Sequence, residues 1–185
     1  MHVTRTSEEL TAGVDEVRRS PRGRGTLVLA VARPAVGERL VLDEVHFDLD
    51  LGVVGDVWRA RGSSRRPDGS ADPDAQVTLM NARAAALVAG GRDRWPLAGD
   101  QLYVDLALGG DDLPAGARLR IGTALLEVTA KPHTGCQRFA DRFGADAWRF
   151  VNSPVGRELN LRGVNARVVE AGVAHPGAAV VALLS

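Results

Sequence analysis

The one cysteine among 185 residues, Cys136, lies in the run Lys131-Pro132-His133-Thr134-Gly135-Cys136-Gln137-Arg138-Phe139. The stretch from Gln137 to Phe143 reads as helix, which puts the thiol at or just before a helix N-terminus, where free backbone N–H groups and the macrodipole favour an anion. Lys131, His133 and Arg138 add positive charge within a few residues, and a thiolate is the form that attacks sulfur, alkylators and soft metals. The pattern points to a reactive cysteine on a loop entering a helix. Its rival is a small buried hydrophobe, because free cysteine is among the most buried residue types. His133, with an ordinary pKa of about 6.5, changes charge near neutrality and could tune the thiol or move a proton. A histidine after proline also serves simply as a loop residue holding one backbone hydrogen bond.

The basic residues nearby suit an anion. Arg138 and Arg142 are i,i+4 neighbours on one helical face, their guanidinium forks match phosphate, and Lys131 adds a point charge. In Leu161-Arg162-Gly163-Val164-Asn165-Ala166, Arg162 and Asn165 fall on a short loop before a strand, where fork and amide could take a phosphate or a pterin ring edge. In isolation the same two residues read as a surface charge and a turn former.

Composition narrows the classes. With 45% hydrophobic content the chain buries a sizeable core as one domain. Lys+Arg and Asp+Glu balance at 23 each, so no global field holds a polyanion, which argues against a nucleic-acid partner. A lone cysteine excludes an intrachain disulfide, argues against a thiolate-rich zinc site and suits a reducing cytoplasm. No basic start precedes an apolar core, and no apolar run reaches the ~18 residues of a membrane span. The expectation is a cytoplasmic protein without a membrane partner.

The elements that must position these residues are short. Thr6 and Glu9 stand at capping-box spacing, with Leu10, Val14 and Val17 at helical intervals, predicting a helix over 7–18. The basic, Pro- and Gly-containing run 18–25 follows as a solvated connector. Residues 1–25 thus form an N-terminal helix and linker ahead of a domain spanning 26–185. Strands are predicted at Thr26–Val31, Arg39–Leu42, Gln76–Leu79, Gln101–Leu106, Arg118–Ile121, Ala124–Thr129, Ala166–Val169 and Ala179–Leu184, a number and spacing that favour a barrel or sandwich. Gly122 marks a hairpin or bulge that leads into the cysteine loop. Asn81 caps a helix ended by Gly90-Gly91, and a second helical region runs from Cys136 to about Val151 with a break at Gly144. The segment 61–74, rich in breakers and nearly without apolar residues, reads as a mobile surface loop.

Taken in order, Gly52-Val53-Val54-Gly55-Asp56, Val77-Thr78-Leu79, Ala98-Gly99-Asp100-Gln101-Leu102, Leu113 to Gly122, Glu127-Val128-Thr129, Pro132-His133-Thr134-Gly135-Cys136, Arg142-Phe143-Gly144 and Leu161 to Ala166 resemble a MOSC domain, the module named after the C-terminal part of molybdenum-cofactor sulfurases. The resemblance runs from about Thr26 to the C-terminus and is nearest to stand-alone bacterial members. It implies a mainly β protein, a compact β-barrel with a few flanking helices. It also implies that Cys136 is the family's functional cysteine, proposed there to carry sulfur as a persulfide or to ligate molybdenum in members that reduce N-hydroxylated compounds. The implied cofactor is the molybdenum cofactor or a related anionic pterin, with Lys131, Arg138, Arg142, Arg162, Asn165 and Asp56 as its candidate contacts. Where the family commonly has a basic residue or histidine after Gly55-Asp56, this chain has Val57-Trp58, and Gly177 is followed by Ala178 instead of aspartate. Pyridoxal phosphate, associated with the family as a whole, has no sulfurase-like domain to hold it here, and there are no iron–sulfur cysteines. A sulfur donor such as a cysteine desulfurase, or an electron donor, would be another protein.

Three readings follow: a cofactor-binding protein whose Cys136 and His133 do chemistry as a reductase or sulfurtransferase-like enzyme, a non-catalytic persulfide carrier serving a partner enzyme, and a plain barrel with an inert cysteine.

Overall fold

The capping box at the chain's start forms as its residue types require. Thr6 Oγ1 accepts from the Glu9 N–H, the Glu9 carboxylate accepts from the Thr6 N–H, and helix α1 (Ser7–Arg18) turns Leu10, Val14 and Val17 inward. This computed structural model describes residues 4–183, so the predicted final strand's Leu184 lies outside the described residues. After α1 come β1 (Arg24–Ala32), β2 (Leu40–Leu42), β3 (Val45–Asp48), β4 (Gly52–Val53), α2 (Trp58–Arg61), β5 (Val77–Asn81), α3 (Ala82–Ala89) and β6 (Leu102–Asp105). The second half supplies β7 (Arg118–Ile121), β8 (Ala124–Val128), α4 (Gln137–Phe143), α5 (Ala145–Asn152), α6 (Pro154–Glu158), β9 (Val164–Glu170), β10 (Gly172–Ala174) and β11 (Ala179–Leu183).

Seven strands close a barrel in the order β11-β7-β8-β9-β5-β6-β1, with β1 pairing back to β11 and β2 added outside β1. Closure satisfies the strand edges that an open sheet would leave exposed. The β5–β6 pair is parallel, which obliges a crossover; α3 and the 3-10 segment Arg92–Ala98 supply it. A small sheet, β10-β3-β4, lies beside the barrel, formed from three short strands that the apolar runs did not mark.

Alternation divides the apolar residues between two cores. Leu27, Leu79, Leu102, Val104, Leu119 and Leu126 fill the barrel. Met80, Tyr103, Leu29 and Val31 point outward, where they meet Leu10, Val17, Phe139 and Phe143 of the helices. A bulge between Leu27 and Leu29 switches β1 from one face to the other, so residues two apart serve different cores. Each large side chain fully buried in this way stabilises the fold by roughly 1.5–3 kcal/mol. The hairpin at Gly122 is present between β7 and β8, and Gly122 adopts φ +57 with no room for a Cβ, which would stand 2.3 Å from the Val173 carbonyl oxygen.

The segment 61–74 is anchored, not free as its composition suggested. The Trp58 indole N–H donates to the Asp72 carbonyl at 3.2 Å, Thr129 Oγ1 donates to the Asp74 carbonyl at 2.6 Å, and Asp72 pairs with Lys131. The anchors lie more than a dozen residues away in sequence, beyond the reach of a local composition argument. Likewise Asn165 is the second residue of β9, not part of the loop before it. None of the described helices is long and apolar enough to cross a membrane.

Candidate functional site

Strand β8 ends at Val128 and delivers a loop whose every turn is tied down. The Thr129 N–H donates to the Asn165 carbonyl at 2.9 Å, and Asn165 Nδ2 donates to the Lys131 carbonyl at 3.0 Å. Further on, the Gly135 N–H donates to Asn152 Oδ1 at 3.0 Å while its carbonyl accepts from the Trp148 indole at 2.9 Å. A Cβ at Gly135 would meet side-chain atoms of Val151 and Asn152 at 2.9 Å, so a larger residue would have to push them aside for the loop to lie this close to α5. Cys136 follows as the N-cap residue of α4, its thiol making no capping bond. The cysteine is exposed, which removes the packing explanation for it. Buried Phe139 and Phe143 hold α4 on the barrel's outer face.

Beneath the loop lies a buried charge relay. The fully buried Asp100 carboxylate meets His133 Nε2 at 2.8 Å through Oδ1 and Arg162 Nη1 at 2.5 Å through Oδ2. Arg162 also donates from Nη2 to the Ala98 carbonyl at 2.8 Å and lies 5.1 Å from the Phe139 ring centre, leaving its buried Nε without a partner. Burial pushes the Asp100 carboxyl up, but the charge of Arg162, and that of His133 once acid protonates it, outweigh burial and hold the pKa at about 2. His133 is shifted below its ordinary value by burial first and by the Arg162 charge second, against the pull of Asp100. At pH 7 the imidazole is therefore neutral and the carboxylate ionised.

Cys136 and His133 border a cavity of two adjoining lobes that share Arg33, Arg61 and Thr78. The narrow lobe, ≈ 170 Å³, takes Arg39, Arg138, Arg142 and Arg162 in addition; the wide one, ≈ 540 Å³, takes Trp58, Arg65, Asp72, Lys131 and Asn165. Some of this charge is already matched: Arg33 grips Asp56 at 2.8 and 2.9 Å and the Gly99 carbonyl at 3.0 Å, and Lys131 pairs with Asp72. The rest is not. Among the described residues the Arg39 side chain bonds only the carbonyls of Pro96 and Glu38, and that of Arg142 only the Leu97 carbonyl. Burial lowers the pKa of Arg39, and the charges of Arg142 and Arg33 add to it. Arg61 is lowered by burial and then by Arg33. These guanidinium groups repel one another and lack carboxylates, the electrostatic condition of a site built for an anion.

The candidates named from sequence divide accordingly. Cys136, His133, Arg138, Arg142 and Arg162 come together at the narrow lobe, and Lys131 and Asn165 border the wide one. Asp56 borders neither; its side chain is fully buried behind Arg33, which it orients, and it also accepts from the Trp58 N–H at 2.8 Å. Sequence reasoning passed over Arg33, Arg39, Arg61 and Asp100. Arg33 fell between two predicted strands, Arg39 stood at the start of one, and Arg61 opened the predicted surface loop. Asp100 stood in a quoted motif without a role.

No family model and no curated protein matches the chain. Solved structures do. The YuaD protein of Bacillus subtilis superposes with a TM-score of 0.63 at 14% identity, covering 89% of this chain and 99% of its own. YiiM of Escherichia coli superposes at 0.56 with 19% identity, covering 88% and 70%, and YiiM of Geobacillus stearothermophilus at 0.53 with 19%, covering 86% and 75%. YuaD and YiiM are proteins of the MOSC-domain type, and the fold of this chain is MOSC-like.

Proposed function

We propose that the two-lobed cavity binds the molybdenum cofactor or a related anionic pterin, and that Cys136 is the protein's sulfur donor to it, as a metal-ligating thiolate or as a persulfide. The observation that carries this reading is the convergence of an exposed thiol with guanidinium groups that have no carboxylate partner. The residues present fit such a group: Arg61 and Arg138 make no side-chain hydrogen bond among the described residues, and the Arg162 Nε is an orphaned buried donor at the same wall. No three His, Cys, Asp or Glu side chains converge as a metal site among the described residues. A metal would thus arrive on its own organic ligand. When bound, the cofactor would supply the redox or sulfur-accepting centre of a reductase or sulfurtransferase-like reaction. Arg138, Arg142 and Arg39 would hold the anionic end, Asn165 and Lys131 would bound the wide lobe, and His133 would exchange a proton.

The exposure of Cys136 favours a second reading, a persulfide carrier that is loaded by a sulfur donor such as a cysteine desulfurase and docks on a partner enzyme. Mass spectrometry of protein isolated without reductant separates the two. An adduct of about 32 Da on Cys136 supports the carrier, whereas co-purified molybdenum and pterin support the cofactor protein. Unmodified protein that binds neither sulfane sulfur nor any pterin would remove both.

A further inference from the structure

We infer that Asp100 is a positioning residue that fixes His133, at the border of the cavity, as the Nε2–H tautomer, so that Nδ1 carries the lone pair able to accept a proton or hydrogen bond. An ionised carboxylate only accepts, so both its oxygens need donors. Arg162 satisfies Oδ2 and cannot be deprotonated. Oδ1 faces His133 Nε2 at 2.8 Å, and that nitrogen must therefore carry hydrogen. A neutral imidazole has one N–H, which leaves Nδ1 as an acceptor with no protein hydrogen bond of its own among the described residues.

The groups facing the ring explain why the second proton stays off. Burial comes first, the ring being only 17% exposed, and the charges of Arg162 and Arg33 add to it against the pull of Asp100. The position of the ring is further limited by backbone. Gly163, at φ +109, lies where a Cβ would be 3.3 Å from the His133 ring and 2.1 Å from the Leu79 carbonyl oxygen, so the imidazole rests against bare main chain. Asp100 itself cannot move, being held between Arg162 and His133 with no exposed surface.

A consequence for the ligand rests on the proposed anion site. Beside an anion held by guanidinium groups, a neutral His133 can pair only with an occupant's N–H, O–H or S–H, and it pairs through Nδ1. A group deprotonated there gives its proton to Nδ1, and the resulting imidazolium is held by Asp100.

Long-range proton–nitrogen NMR of uniformly ¹⁵N-labelled protein at pH 7 tests the tautomer directly, the His133 signals being assigned by their loss in His133→Gln. The expected spectrum has a pyrrole-like Nε2 and a pyridine-like Nδ1. A pyrrole-like Nδ1, or two protonated nitrogens, would overturn the inference. Asp100→Asn, if circular dichroism shows it folded, should shift population toward the Nδ1–H form; an unchanged tautomer in the folded variant removes Asp100 from this role. If that variant does not fold, the wild-type spectrum alone decides. A protein with the Nε2–H tautomer that binds no pterin keeps this assignment and loses the cofactor reading, so the two fail separately.

Discussion

Asp100 and Arg162, 62 positions apart in sequence, form a fully buried ion pair with Nη1 and Oδ2 2.5 Å apart, and the wall of the candidate site is built on it. Arg162 is consequently a structural cation first. Replacing it with alanine leaves the Asp100 carboxylate buried beside a neutral histidine, and loss of one partner of a buried pair costs about 3–5 kcal/mol. Urea unfolding of Arg162→Ala should show a loss of that size. A variant as stable as wild type would mean that the pair is dispensable and Arg162 free to serve the ligand alone.

Arg138 is the cleaner probe of anion binding. It is exposed, makes no side-chain hydrogen bond among the described residues and borders the narrow lobe. Arg138→Ala should leave stability within about 0.5 kcal/mol of wild type, as surface substitutions do. It should weaken binding of a phosphate-bearing pterin by about 1.5–3 kcal/mol, the usual worth of a hydrogen bond to a charged group. Titration calorimetry at two salt concentrations is the check, since added salt should narrow the difference between the proteins. Equal affinities at low salt would take Arg138 out of the site.

Cys136→Ser should fold and melt like wild type, because the thiol is exposed and caps nothing. It should also lose sulfane-sulfur loading and cofactor-dependent activity, oxygen being a poor ligand for soft metals and a poor nucleophile at neutral pH. Differential scanning calorimetry together with mass spectrometry reads both. A variant that loses stability and keeps activity would return the cysteine to a packing role.

Stability should fall with acid in two stages. His133 has a folded-state pKa below its ordinary 6.5, so the unfolded chain binds the proton more readily; its contribution is complete above pH 6.5 and is lost as pH falls below it. Asp100 is held at about 2 against an ordinary 3.8, so its contribution is present above 3.8 and lost as pH falls toward 2. The Asp100 shift corresponds to roughly 2 kcal/mol at 1.36 kcal/mol per unit. Chemical denaturation from pH 8 to 5 should show a downward slope that His133→Gln lacks; identical slopes would mean that His133 titrates freely.

Gly163→Ala tests how closely the site's floor is fitted. The residue adopts φ +109, and an added Cβ would stand 2.1 Å from the Leu79 carbonyl oxygen. The strained backbone conformation alone costs on the order of 1–3 kcal/mol. A lowered melting temperature is expected, along with shifted NMR resonances for His133, whose ring packs against this turn. Unchanged resonances would detach the glycine from the site.

What the sequence determined by itself was local. The Thr6 and Glu9 box, the Asn81 cap, the break at Gly144, the hairpin at Gly122 and the placement of Cys136 before a helix all depend on backbone conformation within a few residues. Alternating apolar runs marked eight of the strands, and the collinear motifs indicated the barrel that the structure closes. Burial and charge pairing were decided elsewhere. The basic residues near Cys136 pointed to an anion, but the balance of 23 acids and 23 bases did not show which of them stay unmatched, because that depends on barrel closure: Asp56 goes to Arg33 and Asp100 to Arg162 and His133, leaving Arg39, Arg61, Arg138 and Arg142 without carboxylate partners among the described residues. Asp56, an expected ligand contact, is buried behind Arg33; Asp100, which no motif role singled out, pairs with Arg162 and His133; and the end of 61–74, at Asp72 and Asp74, is held by Trp58, Thr129 and Lys131. Local propensity is written in neighbouring residues, but the partner of a charge is chosen by tertiary packing. That choice falls between residues dozens of positions apart, where no sequence period reaches.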